Sequence, residues 1–107
     1  MYKPKSTREI YIESFSINSA SIEKQLSDQS VLPEESRTVL DFVSKMYLEN
    51  VERIITLCDK DVMALEYVPS PLKLFVDCLT NAQKSLSLSS SASRLIRRYT
   101  SAWEDWM

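Results

Sequence analysis

The stretch PEESRTVLDFVSKMYLENVERIITLCDK, from Pro33 to Lys60, has the pattern of one long helix and decides the fold class. Pro33 followed by Glu34 and Glu35 is typical of a helix start, because proline suits the first helical position and acidic side chains complement the positive end of the helix dipole. No helix breaker follows until about Asp59. The pattern therefore predicts a helix of roughly 27 residues, about 40 Å long.

Glycine is absent from the whole chain, and this favours helices over strands. Tight hairpin turns, β-bulges and phosphate-cradling loops rely on glycine, so β-hairpin architectures are disfavoured. The chain has 107 residues, of which 44% are apolar and 26% charged. These values are typical of one globular domain with a modest core. We therefore predict an all-α fold.

Shorter helices are predicted on both sides of the long one. Ser6 and Glu9 fit a capping box that opens a first helix, and a break near Asn18-Ser19 would divide that segment. Downstream, Pro69-Ser70-Pro71 stops one element and starts a helix with a strong apolar face. A serine-rich joint over residues 85–93 precedes the last helix, predicted from about Ala92 to Trp106. This predicts a single helical domain made of an N-terminal extension (1–20), a helical core (21–88) and a C-terminal amphipathic helix (89–107).

The apolar surface of the long helix is wider than one neighbouring layer requires. On a helical wheel its apolar side chains span an arc of about 220°, whereas a surface helix needs only a little over 100°. Two arrangements would cover this arc. The chain's own helices could enclose it as an antiparallel four-helix bundle. Alternatively, a second protein chain could cover part of it, with a heterodimer favoured and a homodimer possible.

The second arrangement predicts which residues meet a partner. Asn50 lies inside the apolar arc, where a buried polar group can fix register or partner choice, although a solvent-reaching Asn50 fits the pattern equally well. Trp103 and Trp106 are large potential anchors at the chain end, since tryptophan is enriched in interface hot spots. The predicted partner-binding residues are Leu40, Val43, Tyr47, Asn50, Val51, Ile54, Trp103 and Trp106.

Two blocks of the long helix carry a family resemblance. EESRTVL (34–40) and YLENV (47–51) resemble the central helix of a nucleosomal core histone if about one helical turn is inserted between them. Residues 68–76 are similar to the second loop and third helix of the histone fold, and residues 21–28 would be its first helix. The basic tail and DNA-facing arginines of nucleosomal histones are absent, in line with a pI near 5.1. The resemblance implies a histone-like subunit of a transcription-factor or kinetochore-type assembly that pairs with another histone-fold chain.

A second resemblance concerns the C-terminal half. Pro69-Ser70-Pro71-Leu72, an apolar helix, a polar joint and Leu95-Ile96-Arg97 are similar to small bacteriocin-immunity four-helix bundles, which are typically more basic. This resemblance implies a self-contained helical inhibitor or immunity protein.

The composition argues against an enzyme. Without histidine and glycine, the usual catalytic triads, zinc sites and nucleotide-binding loops cannot be built. We predict no catalytic, metal or cofactor-binding residues. Cys58 and Cys78 lack metal-ligand spacing and are predicted to be small buried thiols in a reducing compartment. With no secretory or membrane-spanning stretch, we expect a soluble intracellular protein, nuclear if the histone-like interpretation holds and otherwise cytoplasmic.

Three arginines near the C-terminus are the main charged feature. Arg94, Arg97 and Arg98 have the i, i+3, i+4 spacing that puts them on one face of a helix. They precede Glu104 and Asp105 in that helix, which is the unfavourable order for the helix dipole. Local helix stability does not explain this order. The face is a candidate contact for an acidic partner or, weakly, for nucleic acid; a solvated face or pairing with acids on the long helix are the alternatives.

Overall fold

The fold is all-α, as predicted. The computed structural model describes residues 5–60 and 68–104, and for residues 103 and 104 it describes the backbone only. The described residues form four helices: α1 (Thr7–Asp28), α2 (Pro33–Asp59), α3 (Pro71–Ser85) and α4 (Ser90–Glu104). The predicted bounds of the long helix are confirmed, with Pro33 in its first turn and Asp59 at its end.

Helix α1 is continuous where the sequence pattern predicted a break. The side chain of Ser6 caps its first turn by accepting the Glu9 N–H at 3.2 Å. The Asn18 amide donates to the Ser14 carbonyl at 2.9 Å and to the Ser14 hydroxyl at 3.1 Å. Since this polar side chain bonds back to the preceding turn, it does not end the helix. Residues 7–20 therefore belong to the same helix as residues 21–28 and do not form a separate extension, and Tyr11 joins the core.

A serine supplies the left-handed residue that ends α1. Ser30 has a φ of 58°, a conformation that glycine adopts without steric cost. The Ser30 N–H bonds to the Ser27 carbonyl at 3.0 Å, and the Val31 N–H reaches back to the Leu26 carbonyl at 3.1 Å. Val31 and Leu26 are both buried. These features form a Schellman motif with its usual apolar contact, built without glycine.

Replacing Ser30 by Gly is expected to stabilise the protein. Glycine removes the penalty that an L-residue pays in the left-handed region, which is about 1 kcal/mol. The free energy of unfolding, measured by urea denaturation followed by circular dichroism, should rise by about that amount.

The matched control is Ser16→Gly at an exposed position inside α1. There glycine should lower the free energy of unfolding by about 0.5 kcal/mol, because it is a poorer helix former than serine. Destabilisation by both changes would contradict the role assigned to Ser30.

The helices pack around one core, with α1 and α3 each contacting all the others. Arg8 and Glu52 form two hydrogen bonds of 2.9 Å between the start of α1 and the far end of α2, so the two helices run antiparallel. Helices α2 and α4 lie at opposite corners. Glu35 of α2 nevertheless contacts Ser89, the residue before α4. Its carboxylate accepts the Ser89 N–H at 2.7 Å and the Ser89 hydroxyl at 2.5 Å. Because the Ser89 hydroxyl also accepts the Ala92 N–H at 3.3 Å, Glu35 completes from another helix the capping box that opens α4.

The helix enclosed on two sides is α3 and not α2. Six residues of α3 are buried, and on a helical wheel they span about 200°. In α2 the fully buried residues form a narrower stripe, which is flanked by half-buried side chains such as Phe42 and Met46. The α2 stripe consists of Val39, Val43, Tyr47, Val51 and Ile54.

Replacing Val51 by Asp is expected to destabilise the isolated chain strongly. The Val51 side chain is 1% exposed, so the carboxylate would lack both water and a hydrogen-bond partner. The free energy of unfolding should fall by about 4 kcal/mol, a large part of the stability of a domain of this size. The measurement is urea denaturation of the purified chain.

The control is Leu48→Asp on the same helix, where the side chain is 41% exposed. Its effect on the free energy of unfolding should stay below about 1 kcal/mol. A folded Val51→Asp chain with unchanged stability would show that α2 is not packed as described.

Candidate interaction surfaces

Most of the predicted partner-binding residues of α2 lie inside the chain's own core. Val43, Tyr47, Val51 and Ile54 are buried, and Leu40 is half-buried against the core. The apolar arc predicted that α2 would be covered, and it is covered mainly by α1 and α3. In this structure the four buried side chains offer no surface to a second chain.

Asn50 is bonded within its own helix. Its amide donates to the Met46 carbonyl at 2.7 Å, and the half-buried side chain borders a polar cleft between α2 and α3. One N–H of the Asn50 amide is therefore bonded one turn back along α2, as is common for asparagine inside a helix. Trp103 and Trp106, the other predicted anchors, lie outside the described side chains.

Tyr47 is the centre of the core. Its hydroxyl donates to the Tyr11 carbonyl at 2.7 Å, and the Tyr11 hydroxyl donates in turn to the Pro69 carbonyl. The Tyr47 ring lies 4.8 Å from the ring of Phe15 and 6.4 Å from that of Phe75. Two hydrogen bonds and an aromatic cluster thus join α1, α2 and the residues just before α3.

Burial raises the pKa of three side chains in this core. Burial raises the pKa of Tyr47, with a smaller contribution from Tyr11, and it also raises the pKa of Tyr11. Burial and the nearby Asp77 raise the pKa of the Cys78 thiol to about 12. All three groups therefore stay neutral in the folded protein at pH values where the unfolded chain has begun to lose these protons.

These shifts predict alkaline unfolding. Below about pH 8 both states keep the three protons, and the free energy of unfolding should not depend on them. Above about pH 9 the unfolded chain releases protons that the folded chain retains, so stability falls as the pH rises. Urea denaturation from pH 7 to pH 11 measures the slope.

Tyr47→Phe should reduce that slope, because it removes one of the three groups while keeping the ring. At pH 7 the same change should cost about 1 kcal/mol for the lost hydrogen bond. A slope as steep as that of the unchanged protein would contradict the assignment to Tyr47.

The geometry that a metal site needs brings several ligating side chains together. Within residues 5–60 and 68–104, no group of three metal-ligating side chains comes together. Both cysteines are unbridged; Cys78 is buried and Cys58 is half-buried. No helix in this part of the chain is long and apolar enough to cross a membrane.

A groove beside α1 contains exposed apolar side chains, and the sequence pattern did not assign it. Ile10 is 47% exposed and Ile17 is 71% exposed. Both line a groove of about 510 Å³ that also includes Leu72 of α3 and, at its edge, the polar side chains of Ser14 and Asn18 and the ion pair of Lys5 and Glu13. The sequence does contain a signal for this groove. The two isoleucines are seven residues apart, and they lie away from the buried face formed by Tyr11, Ile22 and Leu26. The signal was missed because residues 1–20 were interpreted as an extension.

The three arginines of α4 form an exposed basic face. Arg94, Arg97 and Arg98 are all exposed, and none forms an ion pair with another side chain that the structure describes. Two of them line a groove of about 330 Å³, which is formed by Leu88, Ser90, Ser93, Arg94 and Arg97. The predicted pairing of these arginines with acids of α2 is not found in the described part of the chain.

Comparisons with protein-family models, with curated proteins and with solved structures found no match to this chain.

Proposed function

We propose that this chain is a self-contained, non-enzymatic interaction module that docks a helix of a partner protein against α1. The observation that carries the proposal is the exposure of Ile10 and Ile17 on one side of α1. Exposed single apolar residues are ordinary, but two that line one groove with Leu72 are typical of a docking surface.

The geometry of the groove fits a helix with aliphatic side chains. Ile10 and Ile17 are two turns apart, about 10 Å along the axis, and the small Ser14 lies between them. A small residue between two large ones lets a partner helix approach closely and place its own side chain between the isoleucines. The Ser14 hydroxyl already accepts a hydrogen bond from Asn18 at 3.1 Å, so covering this face would leave that amide hydrogen satisfied.

For the finer architecture we favour the antiparallel four-helix bundle over the histone-like plan. The shared core of all four helices and the internal burial of the α2 stripe support a chain that folds alone. This form is also the one implied by the inhibitor or immunity-protein resemblance. A histone-like subunit paired through α2 would instead need Val43, Tyr47 and Val51 to be released from α1 and α3.

Sedimentation with thermal denaturation of the purified chain separates these forms. The proposal expects a monomer with one cooperative transition. Aggregation or lack of folded structure, rescued by co-expression with a second chain, would favour pairing through α2 and would contradict a self-contained module.

The docking surface is tested by photo-crosslinking in cells that naturally express the protein. A photoreactive side chain at position 17 should form adducts with one partner, and Ile10→Asp in the same chain should reduce their yield about tenfold. Both positions are exposed, so the fold should be unaffected.

The matched control places the photoreactive side chain at position 48, which is exposed to a similar degree as Ile10 but lies on α2. It should give few adducts, and Ile10→Asp should not change them. Equal crosslinking at positions 17 and 48, or none at position 17, would contradict the proposal that a partner docks against α1.

A further inference from the structure

The basic side chains around α4 lie in a stretch from which acidic residues are missing. From Cys78 to Trp103 the sequence has four basic side chains and no aspartate or glutamate, which leaves nine basic and fifteen acidic side chains elsewhere. A chain of net charge −2 therefore carries a local positive region on an acidic body. A field of this kind orients a negatively charged partner towards one side of the molecule.

The basic face of α4 consists of Arg94, Arg97 and Arg98 together with the hydroxyls of Ser90 and Ser93. Ser90 and Ser93 line the same groove as Arg94 and Arg97, and each serine precedes an arginine by four residues, so each pair shares one side of the helix. The Ser93 hydroxyl accepts the Gln83 amide at 3.2 Å and keeps its own hydrogen to donate. The face therefore presents guanidinium and hydroxyl donors.

The Glu35 carboxylate, which lies near the start of α4, already accepts two hydrogen bonds. Glu35 reaches the start of the helix, where both of its oxygens accept hydrogen bonds from Ser89. The guanidiniums of Arg94, Arg97 and Arg98 are not paired with it or with the other carboxylates that the structure describes. They remain available to an external anion.

We propose that this basic face binds the phosphate backbone of nucleic acid, without regard to sequence. Arginine matches phosphate oxygens with two parallel hydrogen bonds, and arginine, lysine and serine side chains are regular donors to the backbone of nucleic acids. The rise from Arg94 to Arg98 is about 6 Å, comparable to the distance between successive phosphates along a strand.

The composition of the face favours nucleic acid over an acidic protein. Protein interfaces surround an apolar core with a polar rim, whereas interfaces with nucleic acid are more polar and more positive. The large apolar side chains that the structure shows as exposed are Ile10, Ile12, Ile17, Leu32 and Leu48, and none of them belongs to α3, the joint or α4. Among the described side chains, the basic face thus offers charge and hydrogen-bond donors beside the half-buried Leu88.

The test is fluorescence anisotropy with a labelled 20-base-pair DNA duplex of mixed sequence. Three phosphate contacts predict an affinity that falls about 40-fold between 50 and 200 mM monovalent salt. Replacing Arg94, Arg97 and Arg98 together by Ser should weaken binding at 50 mM salt at least tenfold. Because all three side chains are exposed, circular dichroism should show an unchanged fold.

A charge-matched control changes Lys45 and Arg53 of α2, and Lys60 directly after it, to Ser. It lowers the net charge by the same amount at exposed positions away from the contact between Glu35 and Ser89, and binding should change less than threefold. Ser90→Glu, which adds one carboxylate at the N-terminal end of the basic face, one turn before Arg94, should weaken binding about as much as the loss of one arginine.

Three outcomes would overturn the proposal. They are no binding by the unchanged chain at 50 mM salt, equal weakening by the α2 control, and stronger binding of a polyglutamate peptide than of DNA in competition. The last result would assign the face to an acidic protein. Ile17→Asp should leave DNA binding unchanged, so failure of the α1 docking surface and failure of the basic face can be told apart.

Discussion

The packing of Tyr47 holds this molecule together. Its ring contacts aromatic rings of α1 and α3, and its hydroxyl is bonded to a backbone carbonyl of α1. A buried hydroxyl without an acceptor would cost more than the hydrogen bond contributes, so α1 must keep the position that brings the Tyr11 carbonyl within reach. The Tyr11 hydroxyl then fixes Pro69, two residues before α3 begins. One side chain of α2 thereby sets the positions of the helix before it and the helix after it.

This arrangement leaves the two candidate surfaces on different parts of the chain. The α1 groove is apolar and includes the first turn of α3, whereas the basic face lies on α4 and the joint before it. The first suits a protein helix, because burying apolar surface away from water is favourable. The second suits a phosphate backbone, because guanidiniums that neutralise phosphates release the counterions bound to the nucleic acid. A chain with both surfaces would bring a protein and a nucleic acid together.

The sequence was most informative where proline or a capping serine marks a helix end. The starts of α2 and α3 and the end of α2 were predicted within a residue or two, since Pro33, Ser70 and Pro71 leave few alternatives. The continuity of α1 was not predicted, because the bond from Asn18 to the preceding turn depends on a side-chain orientation that a pattern does not show. The wheel of α2 predicted cover over an arc of about 220°, whereas its buried residues form a narrower stripe packed against α1 and α3. An apolar arc cannot say whether the residues that cover it belong to the same chain.

The way the helices are joined also limits how the molecule can respond to a partner. Prolines fix the backbone at the start of α2 and α3, a complete capping motif closes α1, and no glycine is present to absorb a large change in φ and ψ. Hinge motions, which concentrate such changes in a few residues, are therefore disfavoured at the joint between α1 and α2, whereas small sliding movements between packed helices need no such change. Recognition by this protein should resemble the docking of two preformed shapes, with side-chain rotamers adjusting at the contact while the backbone moves by about 1 Å or less.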